Sequence, residues 1–308
     1  MIWVWGNSGT KWRVCTICCK YCNYSLFFPS IHILPFLFFF LSKTGLDAFH
    51  IPADFDDTFV NIGLGSLLHS APDNSSTLYS MWQRNNSNFV AAMKALVQYA
   101  YRPLSEDVDS SLIDPRTYFF MKDYLYSRVA NTSTAAFVST WAQNLTQDRE
   151  DFYKGYRMPF NTNNVDLTVS TNVIYGITAA VLANLSDPDS WFDADLQTVY
   201  ENTTDLIGWM IQHNFSSRPD LALTYYPSVY NFYWFTSRTV NLLSSTSTLP
   251  YPVLARVRDK LTSALREGAT DALLEQVTVE GGVAYWDDFL GDNDTDIFGE
   301  PYMYVLYT

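Results

Sequence analysis

Past residue 22 this chain has no cysteine; Cys15, Cys18, Cys19 and Cys22 form one cluster and none follows. The body therefore carries no disulfide, and the cluster lacks the second, separated ligand pair of a structural zinc site. Histidine is sparse, and His50, His69 and His213 stand too far apart in sequence to pair as ligands. The Asp292-Asn293-Asp294-Thr295-Asp296 segment lacks the glycine and terminal Glu of a calcium loop and reads as a solvated acidic loop. No metal or cofactor is expected on these grounds. A glycine-rich phosphate loop and a Gly-x-Ser-x-Gly nucleophile elbow are missing as well.

Basic residues are also scarce. Lys11, Arg13, Lys20 and Lys43 lie in an acid-free leader, which leaves 15 basic against 32 acidic residues in the remainder, a net −17. So acidic a body is a poor partner for nucleic acid or an anionic membrane surface. Alternating strand patterns and a strong domain linker are missing too. What remains is helical signal in a chain whose 48% hydrophobic content rules out wholesale disorder.

Residues 1–45 read as a non-globular leader. Tyr24 to Leu41 is an uncharged apolar run behind a weakly basic stretch, resembling a signal peptide or signal anchor. Its Phe, Leu, Ser and Pro content, encoded by pyrimidine-rich codons, and its abrupt end at Ser42-Lys43-Thr44-Gly45 fit mistranslated intron better. Membrane attachment is expected only through this segment, if it is genuine. Eight Asn-x-Ser/Thr acceptors begin at Asn74, Asn85, Asn131, Asn144, Asn184, Asn202, Asn214 and Asn293, against roughly three expected by chance. They point to a glycoprotein of the secretory pathway, extracellular or membrane-anchored and lumenal.

Residues 46–308 read as one all-α domain. Leu167 to Ala183 has no charge and predicts a buried helix, while Val253 to Gln276 is amphipathic, with Leu254, Val257, Leu261, Leu265 and Ala269 on one face. Thr77 to Tyr101 and Ala194 to His213 predict further outer helices. Phe59 to Leu68 predicts a helix buried on all sides. Buried helices alternating with one-faced ones suggest concentric layers, an inner ring inside an outer ring; helical repeats of another kind or an irregular bundle are the alternatives.

Three carboxylates stand immediately before that Phe59 helix, in Asp54-Phe55-Asp56-Asp57-Thr58. Crowding carboxylates can keep one protonated near neutral pH, which is a catalytic resource. Helix capping is the competing explanation, since Asp is favoured at helix starts. Asp56-Asp57-Thr58-Phe59 is echoed by Asp166-Leu167-Thr168-Val169, each opening an uncharged helix.

The Asp54-x-Asp56-Asp57-Thr58 motif resembles the signature of class II terpene and squalene-hopene cyclases. Asp166 to Val173 and Tyr225-Tyr226-Pro227-Ser228-Val229-Tyr230 are similar to segments of the wider terpenoid cyclase and protein prenyltransferase toroid superfamily. The resemblance implies an all-α fold, an α/α toroid over residues 46–308, with Asp56 as proton donor, Asp54 and Asp57 tuning it, and Tyr225, Tyr226, Tyr230 and Trp234 as an aromatic wall for substrate. The repeated glutamine-tryptophan motif, the Asp-rich diphosphate motif and the zinc ligands of those families are absent. Two other readings stand beside it. One is a secreted glycoside hydrolase or lyase pairing Asp54, Asp56 or Asp57 with Asp166 across a glycan; the other is a non-catalytic binding protein. A small molecule or glycan is the expected ligand.

Overall fold

The structure, a computed structural model, describes residues 52–71, 76–129, 134–155 and 161–286, all within one compact unit, Ala48–Thr308. The leader, the cysteine cluster, the Asp292–Asp296 segment and the acceptors Asn74, Asn131 and Asn293 lie outside the described residues. The described fold is mostly helical. Its only regular strands among those residues are β1 (Thr278–Glu280) and β2 (Val283–Tyr285), an antiparallel hairpin. They turn through Gly281 and Gly282, whose φ of 60° and 83° suit glycine.

Six helices make up the two main rows: α1 (Phe55–Ser70), α3 (Phe89–Gln98), α7 (Leu167–Leu182), α8 (Ala194–Gln212), α10 (Val229–Ser244) and α11 (Pro252–Ala264). In one row α7 packs between α1 and α10; in the other α8 packs between α3 and α11. The rows join through α1 on α3, α7 on α8 and α10 on α11, so the chain alternates between them. The remaining helices are α2 (Ser76–Asn85), α4 (Val108–Ser111), α5 (Pro115–Tyr124), α6 (Leu145–Tyr153), α9 (Pro219–Ala222) and α12 (Thr270–Gln276). A π-helical segment, Leu265–Ala269, joins α11 to α12.

Helix α7 is the axis of the core. Every residue from Leu167 to Val181 is buried except Tyr175, as its lack of charge implies. Two glycines set how closely its neighbours approach. A Cβ on Gly176 would lie 2.4 Å from the Phe59 carbonyl oxygen, and one on Gly65 would lie 2.2 Å from the Trp82 ring. These contacts bring α1 backbone against α7 and seat the Trp82 indole on α1, where its Nε1 donates to the Asn61 carbonyl at 3.1 Å.

Two sequence expectations need correction, and one element was not expected at all. Thr77 to Tyr101 is two helices, because Asn86 donates to the Trp82 carbonyl at 2.8 Å and accepts from Asn61 at 2.6 Å, ending α2. The Phe59 helix begins at Phe55 and is not buried all round: Val60, Leu64 and Leu67 are 42%, 50% and 57% exposed. Finally, Ala135 to Trp141 is a buried extended strip. It exchanges two 2.9 Å backbone hydrogen bonds with Tyr101 through Phe137, and Thr140 links Phe55 to Asn164. That strip ties the start of α1 to the approach to α7.

Candidate functional site

The two helix starts explain two of the four predicted acids. Asp54 caps α1, accepting from the Asp57 N–H at 2.6 Å. Asp166 caps α7, accepting from the N–H groups of Thr168 at 2.8 Å and Val169 at 3.0 Å, and from the Thr168 hydroxyl. Its second oxygen accepts from the Tyr225 N–H at 3.1 Å. The structural echo is therefore Asp54 with Asp166, two positions from the register read in the sequence. Thr58 and Ser170, each four residues on, donate back to the cap carbonyls at 2.6 and 2.8 Å. Asp57 points to solvent.

Asp56 is different. It lies in the first turn of α1, is 8% exposed, and caps nothing. One oxygen accepts from the Asn172 side-chain amide of α7, the other from the Tyr226 hydroxyl at 2.5 Å. The Asn172 carbonyl oxygen in turn accepts from Arg238 of α10. Acid, amide and guanidinium thus form one chain across three neighbouring helices. The Arg238 guanidinium lies 4.3 Å from the Tyr175 ring centre, 4.8 Å from Phe235 and 5.4 Å from Trp234, within cation–π range.

Burial is the leading influence on these charges. It pushes the Asp56 carboxyl above its ordinary value, with Asp57 adding repulsion, while Tyr226, Asn172 and Arg238 oppose it. Burial also carries Asp54 up to about 6 and raises Asp166 against its four donors. It lowers Arg238 and raises Tyr226. The result is a carboxyl that resists ionisation, beside donors that stabilise its anion once the proton has gone.

The four predicted aromatic residues are divided. Tyr226 touches Asp56. Tyr225 is one shell away, its backbone on Asp166 and its hydroxyl accepting from Trp141 Nε1 at 3.1 Å and Asn164 at 3.3 Å. Tyr230 and Trp234 instead line a cleft of about 460 Å³ with Tyr233, Leu273 and Trp286. Trp234, 59% exposed, also borders Arg238.

Sequence reading missed Asn172, Tyr175 and Arg238 as site residues. Arg238 had a usable signal: it is the sole charged residue between Asp220 and Arg256. Asn172, an amide inside an uncharged helix, was a weaker one. Among the described residues no cluster of three His, Cys, Asp or Glu side chains is placed to hold a metal, and no helix is long and apolar enough to cross a membrane. Comparison with known proteins finds no matching family model, no similar curated protein and no similar solved structure.

Proposed function

We propose that this protein is an α/α toroid of the terpenoid cyclase-like kind, in which Asp56 is a general acid acting on an apolar ligand held against the α1, α7 and α10 row. The observation that carries this reading is the asymmetry among the acids. Asp54 and Asp166 are consumed as caps and Asp57 faces water, whereas Asp56 is buried, caps nothing, and is held by two side-chain donors from other elements, Tyr226 and Asn172. Protonating an alkene demands an acid that is still protonated at neutral pH and whose anion is stabilised as it forms; burial favours the first and the pre-placed donors the second. The rings of Tyr175, Phe235 and Trp234, gathered around Arg238, give this face an apolar aromatic border. The two-row alternation of helices supports the toroid.

A glycosidase pair fits less well, because both oxygens of Asp166 are engaged, one by Thr168 and Val169 and the other by the Tyr225 N–H. The test is turnover of acyclic isoprenoid alkenes, squalene and a long-chain isoprenoid carboxylic acid side by side, in deuterated water. One deuterium should enter the product, and Asp56→Asn should lower the rate about 10²–10⁴-fold, the usual contribution of a positioned proton donor. An undiminished rate in the variant, or a product without deuterium, overturns the reading.

A further inference from the structure

Arg238 is under-used for a half-buried cation. Among the described residues it makes no ion pair, its one hydrogen bond goes to Asn172, and its buried Nε has no partner. Leaving guanidinium N–H groups unpaired in a dehydrated setting is costly, and guanidinium is the side chain best shaped to receive a planar carboxylate.

The ground beside it is apolar. On α1, Val60, Leu64 and Leu67 follow Asp56 at intervals of four, eight and eleven residues, which places all four within about an 80° arc of the helix. Gly63 lies on the same face, and a Cβ there would meet the Tyr175 ring at 2.8 Å. The exposed stripe therefore adjoins the ring over which Arg238 sits. From Asp56 to Leu67 the stripe runs about 16 Å at the rise of an α-helix.

We propose that Arg238 receives the carboxylate of a long-chain amphiphile whose hydrocarbon lies along Val60, Leu64 and Leu67. The assignment rests on the preceding reading of this face as the ligand site and names the ligand's class. A single guanidinium matches a single negative charge. A phosphate dianion would bring a second charge toward Asp54, Asp56 and Asp57 on an already acidic body, and is disfavoured.

Calorimetric titration of the full chain with dodecanoate, dodecanol and dodecyl phosphate tests this. Dodecanoate should bind at least about tenfold tighter than the other two, as a charge-assisted contact implies. Arg238→Gln should remove that advantage and leave dodecanol binding unchanged. Arg238→Lys, retaining the charge, should keep part of the advantage, and Leu64→Asp should weaken both ligands. Equal binding of dodecanoate by wild type and Arg238→Gln overturns the assignment. So does tighter binding of the phosphate ester, or a dimer in sedimentation that excludes every amphiphile from the stripe. Asp56→Asn separates this from the catalytic reading: it should bind dodecanoate at least as well as wild type while losing turnover. Retained turnover in that variant defeats the general acid alone; retained binding in Arg238→Gln defeats the carboxylate site alone.

Discussion

Asp56 sits under opposed influences that act at different moments. Exclusion from water favours its neutral form, while the Tyr226 hydroxyl, the Asn172 amide and Arg238 favour its anion. A carboxyl balanced in this way can release a proton without rebuilding its surroundings, the form of preorganisation expected of an acid catalyst. Asp54 offers an independent check on local electrostatics. Folded, it holds its proton to about 6, against an ordinary value of 3.8. Between those values the folded chain binds the extra proton, so this residue's contribution to stability falls as pH rises through the window and is flat outside it. Asn keeps the capping oxygen. The melting temperature of wild type relative to Asp54→Asn should therefore fall between about pH 4 and pH 6, and parallel curves would contradict the shift.

Helices α1 and α7 show what individual elements require. Gly176 has no room for a methyl group, since Phe59 backbone and side-chain atoms lie within 3.0 Å of where it would be placed. Gly176→Ala should cost about 1–3 kcal/mol through overpacking, and an unchanged urea midpoint would show that the two backbones are further apart. Asp166→Ala removes a cap and leaves the N–H groups of buried Thr168 and Val169 and of half-buried Tyr225 without their acceptor. A loss of about 2–4 kcal/mol is expected; a loss below 1 kcal/mol would mean water replaces the carboxylate readily.

Uncharged α7 and amphipathic α8 and α11 were legible in the sequence because helix periodicity and burial agree there. The Ala135–Trp141 strip was not. It is short and buried on both faces, so it has no alternation, and its hydrogen bonds go to Tyr101, Thr203, Phe55 and Asn164, far away in sequence. The acid cluster was visible as a cluster, yet residue order could not say which Asp caps and which turns inward. That depends on where α1 starts, at Phe55. Arg238 and Asn172 meet Asp56 only through the packing of three helices.

Across the whole molecule, the chain alternates between a row of α1, α7 and α10 and a row of α3, α8 and α11, and the site forms where the first row's helices begin and meet. The apolar stripe of α1 and the aromatic flank of α10 leave that row with an incompletely covered face. A ligand lying there would shield Asp56 further and strengthen its hold on the proton. The most direct measurement is a carbon-13 titration of the Asp56 carboxyl in the full chain, repeated in Arg238→Gln. The account predicts a midpoint above the ordinary aspartate range, moving higher when the guanidinium is removed. A midpoint at or below the ordinary value, or one indifferent to Arg238, would contradict it.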